Sequence, residues 1–87
     1  MTPTDDLDPK IQFGLRLREL RLRAKLSQEA LADLAGLDRT YISGCERGRR
    51  NASIEALYKL SVALQVPASF LLQPCGSVDS DSEGGKI

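Results

Sequence analysis

Residues 28–47 constrain the fold more than any other window, because two short helical stretches must turn on only Gly36, Leu37 and Asp38. Ser27 stands where a side-chain oxygen caps the first stretch, and Gly36 stops it as the residue best able to adopt a left-handed backbone. Asp38 is placed to cap the second stretch and Gly48 to end it. So short a turn makes the helices cross steeply. The crossing needs a small side chain at the close approach, which Ala32 supplies. It also needs apolar groups inside the angle, which Leu31, Ala35, Leu37, Ile42 and Cys45 supply.

The flanking sequence reads in the same period. Asp8 followed by Pro9 is a helix start, after which Phe13, Leu17, Leu20 and Ala24 recur on one face at spacings of four, three and four. Leu15 and Leu22 fall off that stripe and are expected to widen the core face or to edge an interface. Ser53 caps a fourth helix running to about Gln65, with Leu57, Leu60, Ser61 and Leu64 inward, and Pro67 starts a short fifth through Leu72. No window alternates apolar and polar residues as a strand does. The predicted fold is all-α, a compact five-helix bundle, and 87 residues suffice for one domain and not for two. Residues 1–8 are expected to be a disordered N-terminal arm, 9–73 the domain and 74–87 a flexible tail of small polar residues.

Composition removes several function classes. There is no histidine, and Cys45 and Cys75 are too few and too far apart for a disulfide framework or a four-cysteine zinc site. No enzymatic chemistry, cofactor or metal is therefore expected. Cys45 reads as a small core residue and Cys75 as an exposed thiol near the tail. No apolar run approaches the roughly 18 residues of a membrane span, so a cytoplasmic, nucleoid-associated protein without membrane contact is expected. The zero net charge hides an asymmetry: Lys10 to Arg50 carries ten bases against five acids, and the segments on either side are acidic. The middle of the chain is the surface suited to a polyanion.

The requirements met by residues 28–47 are together those of a helix-turn-helix. The text Leu26-Ser27-Gln28-Glu29-Ala30-Leu31-Ala32, then Ala35-Gly36-Leu37-Asp38-Arg39-Thr40-Tyr41-Ile42-Ser43, then Glu46-Arg47-Gly48-Arg49-Arg50-Asn51, with Leu57, Leu60, Ala63, Leu64 and Val66, resembles the Cro/cI (XRE) family of prokaryotic regulators. The stretch from Asp38 to Asn51 is also similar to controller proteins of restriction-modification operons. The resemblance covers about residues 13–72 and implies a lambda-repressor-like DNA-binding domain. The chain departs from the family pattern at Lys25, where glycine is usual, at Ala52, where proline is common, and at Gly44. That glycine, inside the third helix, costs about 1 kcal/mol of helix stability relative to alanine.

Duplex geometry assigns the roles. The major groove admits one helix, whose N-terminal residues reach base edges, so Arg39, Thr40 and Ser43 are the candidate base contacts, opposite Ile42 and Cys45. Gln28, at the start of the second helix, with Tyr41, Arg49, Arg50 and Asn51, is expected to grip phosphates, and the resemblance supports Gln28 and Asn51 most directly. The resemblance also implies a structural ion pair between Arg21 and Glu46. Leu64, Val66, Phe70, Leu71 and Leu72 are candidates for a dimer interface, with Phe70 breaking the inward stripe. The expected partners are a palindromic double-stranded operator and a second copy of the chain. If binding activates transcription, RNA polymerase is a further partner, with Glu29 and Asp33 as candidate contacts. The expected function is sequence-specific transcriptional regulation of the chain's own promoter or a linked operon, in the manner of a restriction-modification controller. The alternative is the antitoxin of a toxin–antitoxin pair.

Overall fold

Local chemistry sets the helix ends. Asp8 Oδ1 accepts the Lys10 amide at 2.8 Å, Ser27 Oγ accepts that of Ala30 at 3.0 Å, and Ser53 Oγ accepts that of Ala56 at 3.0 Å. The computed structural model describes residues 8–77, which form α1 (Pro9–Arg23), α2 (Gln28–Ala35), α3 (Arg39–Glu46), α4 (Ile54–Leu64) and α5 (Ala68–Leu71) and no strand. Gly36 ends α2 with φ 70°. Asp38 starts α3 without a side-chain cap bond; its carbonyl accepts the amides of Tyr41 and Ile42 instead. Lys25, where glycine was the family's usual residue, is left-handed at φ 62°, a strain of roughly 1 kcal/mol.

Helix α1 packs on α3 and α5, α2 on α3 and α4, and α4 on α5. Leu17, Leu31, Ile42, Cys45, Leu60 and Leu71 are wholly buried where these contacts meet, with Leu20, Ala32 and Ala35 beside them. The α1 stripe differs from expectation at both margins. Phe13 is half-buried and Ala24 lies exposed at the helix end, while Gly14 and Arg21 are buried. A Cβ on Gly14 would run into the carbonyls of Cys45 and Glu46, so α1 and the end of α3 meet backbone to backbone. Leu15 and Leu22 face solvent. On α4, Ala56 takes a buried position and Leu57 is half-buried.

Three residues expected at a dimer interface belong to this core instead. Leu64, Phe70 and Leu71 are buried within the single chain, because the short α5 folds the chain back over α1 and turns Phe70 inward. Val66 packs half-buried at the core margin and Leu72 is exposed.

Behind Phe70 lies a charge that composition alone would assign to the surface. Arg16 is fully buried. Its Nε donates to the Phe70 carbonyl at 2.7 Å, Nη1 to Glu19 Oε1 at 2.9 Å and Nη2 to Gln73 Oε1 at 3.0 Å. A buried charge survives only with such partners. Glu19 also accepts the Gly76 amide on both oxygens, at 2.9 and 3.1 Å. The turn at residues 74–77, expected as the start of a flexible tail, is thereby fastened to α1. Residues 1–7 of the expected arm and 78–87 of the tail lie outside the described residues. Among those described, no helix is long and apolar enough to cross a membrane.

Burial pulls the Glu19 carboxyl upward, but hydrogen bonds from Gly76, Arg16 and Cys75 outweigh it and hold the group below its ordinary value of 4.5. A carboxylate depressed in the folded state contributes stability above its ordinary value and loses it as pH falls through the folded value. Glu19→Gln should therefore lower the urea midpoint at about pH 7, and lower it less at about pH 3. An equal loss at both values would mean that the charge on Glu19 is irrelevant to fastening the turn at residues 74–77 to α1.

Candidate nucleic-acid interface

Helix α3 is amphipathic across its width. Ile42 and Cys45 point into the core, Arg39 and Thr40 stand in solvent, and Ser43 and Gly44 are partly exposed between them. At the end of α3 the chain turns back through Gly48, with φ 75°, and the Arg49 amide donates to the Gly44 carbonyl at 2.9 Å. The turn carries Arg49, Arg50 and Asn51, all exposed, alongside the helix. Arg39, Thr40, Ser43, Gly44, Arg47, Arg49 and Arg50 consequently line one open cleft of about 560 Å³. Four guanidiniums and no carboxylate lie along it.

Beneath the cleft a chain of hydrogen bonds joins three helices. Arg21 grips Glu46 with both arms of its fork, Nε to Oε2 at 2.6 Å and Nη2 to Oε1 at 3.0 Å, and its Nη1 donates to the Leu26 carbonyl at 2.8 Å. Gln28 Nε2 donates to the same Glu46 Oε1 at 3.1 Å, while Gln28 Oε1 accepts from Arg39 Nη1 at 3.2 Å. The Gln28 side chain, expected on a phosphate, is thus half-buried between Glu46 and Arg39, where it fixes the start of α2 against α3. Sequence spacing carries no signal for this link, since its members are 11 and 18 residues apart.

Tyr41 is likewise turned away from open solution. Its ring packs against the core, its hydroxyl accepts the Ser53 amide at 3.2 Å, and the Arg50 guanidinium lies over the ring, 5.2 Å from its centre. Arg47 occupies the α3 C-cap. Glu29 and Asp33 are exposed on α2. One apolar surface was not anticipated: Ile54, Tyr58 and Val62, 71%, 60% and 76% exposed, form a stripe on α4. Their i, i+4, i+8 spacing was visible in the sequence, but on the face opposite the inward residues. Ile54 also borders a groove of about 300 Å³ floored by Phe13, Ala52, Leu57 and Leu72.

A short helix presented outward by a three-residue turn, beside an arginine cleft, defines a helix-turn-helix DNA-binding regulator. The helix-turn-helix family profile matches residues 17–71, and the chain belongs to that family. It is 46% identical over 65 residues to the control protein C.MunI of a Mycoplasma species, a match spanning 74% of this chain and 88% of that protein. It is 45% identical over 64 residues to the control protein C.BamHI of Bacillus amyloliquefaciens, spanning 72% and 79%. Among solved structures, the restriction-modification controller protein C.AhdI from Aeromonas hydrophila aligns with a TM-score of 0.70 at 52% identity, over 71% of this chain and 94% of that one.

The network makes a stability prediction. Glu46→Ala should destabilise the domain by about 3–5 kcal/mol in urea unfolding, because it strands a buried guanidinium. Replacing both partners, Arg21→Met with Glu46→Leu, should recover most of that loss. A double variant as unstable as the single one would show that packing, and not the unpaired charge, governs the site.

Proposed function

We propose that this chain is a homodimeric, sequence-specific transcriptional regulator acting on its own promoter or a linked operon, as a controller of a restriction-modification system. The carboxylate-free cleft along α3 is the observation that carries the reading. It sets Arg39 and Thr40, for base edges, on the same surface as Arg49 and Arg50, for phosphates. Arginine's fork matches guanine O6 and N7 in the major groove. The control-protein relatives and C.AhdI support the restriction-modification assignment.

A single module of this size reads half a site, and two-fold partners with recognition helices about 34 Å apart read a palindrome. The occupant of the α4 stripe in this reading is a second copy of the chain. The exposed stripe of Ile54, Tyr58 and Val62 meets, at Ile54, the apolar groove beside Leu72, and a two-fold pair of chains would remove both from water. Of the residues first expected at that interface, Val66 and Leu72 retain exposed surface to contribute.

Two measurements test the function. Titration of duplex DNA at rising salt should give a log K against log salt slope steeper than about −4, from several phosphate contacts. Arg39→Ala should lose about 1–3 kcal/mol on the preferred duplex and much less on random sequence; a flat salt response or an equal loss on both duplexes would sink the reading. For assembly, Val62→Glu should fold normally yet sediment as a monomer at concentrations where the wild type is a dimer. If neither it nor Leu72→Glu changes the sedimentation, the α4 surface is not the interface.

A further inference from the structure

Gly44 stands inside α3, where glycine is the poorest helix former apart from proline, and its φ does not require it, since it is absent from the left-handed residues. What it provides is room. A Cβ built there would lie 3.2 Å from both Cγ and Nε of Arg50 and 3.3 Å from Cδ, and these are its three nearest neighbours. The stem of Arg50 thus rests where the side chain of residue 44 would be. Its guanidinium continues over the Tyr41 ring at 5.2 Å, and Tyr41 is itself fixed by the Ser53 amide on its hydroxyl. Residues 41 and 44 are one turn apart on α3, so they form two ends of a single seat.

We infer that Gly44 and Tyr41 are positioning residues for Arg50, holding a loop arginine across α3 as though it were a side chain of that helix. The inference rests on the reading that this face of α3 meets DNA. An exposed arginine samples many rotamers and loses them on binding, and here the neighbouring guanidiniums of Arg47 and Arg49 on the same cleft would repel it. A seat that fixes the stem and a ring that attracts the cation oppose both effects before any duplex arrives.

The test uses the full chain, duplexes of about 30 base pairs enriched by the wild type from a randomised pool, and the unselected pool as control, with anisotropy for affinity and urea for stability. Gly44→Ala should be at least as stable as the wild type yet bind the enriched duplex about two- to tenfold more weakly, the scale of immobilising one long side chain. Gly44→Leu should approach the affinity of Arg50→Ala, and Tyr41→Leu should fall in the same direction. In an Arg50→Ala background, Gly44→Leu should change binding less than about twofold. If Gly44→Leu weakens binding by the same factor with and without Arg50, its bulk strikes the duplex and the seat is refuted. If Gly44→Ala and Gly44→Leu bind like the wild type while Arg50→Ala does not, Arg50 contributes without being positioned and the inference again fails. A wild-type chain that enriches no duplex and binds none would instead overturn the DNA reading, and the seat with it.

Discussion

The contact between Arg21 and Glu46, 2.6 Å at its shortest, governs where the outward helix points. Glu46 is the last residue of α3, and an anion at a helix C-terminus is opposed by the dipole. It is also almost wholly buried, at 5% side-chain exposure. Both penalties are offset by one guanidinium that comes from α1 and is itself anchored on the Leu26 carbonyl between α1 and α2. One pair thereby fixes the position of three helices. The approach is possible because Gly14 lets the α1 backbone reach the carbonyls at the end of α3. Gln28 extends the same carboxylate's influence to Arg39 on the outer surface, so the orientation of a candidate base contact depends on an interior charge.

Much of this was legible in the sequence, and the boundary between what was and was not is physical. Ser27, Gly36 and Ser53 act on amides or turns within three residues of themselves, so their chemistry is written locally. Arg16 shows where chemical type misleads. It lies three residues after Phe13 and four before Leu20, on the helical face that the apolar stripe defines, and periodicity alone would place it inside. Its charge argued for the surface, and only the Phe70 carbonyl, Glu19 and Gln73, two of them more than 50 residues away, reverse that argument. Leu64 is buried on the inward face of α4 that its period gave, but Phe70 and Leu71 were assigned to an interface for a related reason. The four residues of α5 are too few to show a period, and its inward face is decided by α1.

The candidate site divides in the same manner. Arg39 and Thr40 at the start of α3 are exposed because Ile42 and Cys45 are apolar, a relation contained in eight residues. The places of Gln28, Tyr41 and Arg50 follow from which helix ends meet, and no spacing in the sequence encodes that. Gly44 read as a defect of the helix because its use lies in a side chain six positions later.

The zero net charge can be reconciled with a polyanion partner through the way bases are paired. On α1, Arg16 and Arg23 contact Glu19, Arg21 contacts Glu46, and Lys10 contacts Asp8. On the cleft, Arg39 meets a neutral amide, and among the described residues no carboxylate forms an ion pair with Arg39, Arg47, Arg49 or Arg50. Four of the five bases of α1 thus lie against carboxylates, which weakens the field on that helix, whereas the positive field survives beside α3. At physiological ionic strength interactions fade beyond about 8 Å, so a phosphate entering the cleft responds to those four guanidiniums far more than to acids elsewhere in the chain. A near-neutral total suits selectivity, because it limits attraction to any duplex that cannot also engage α3.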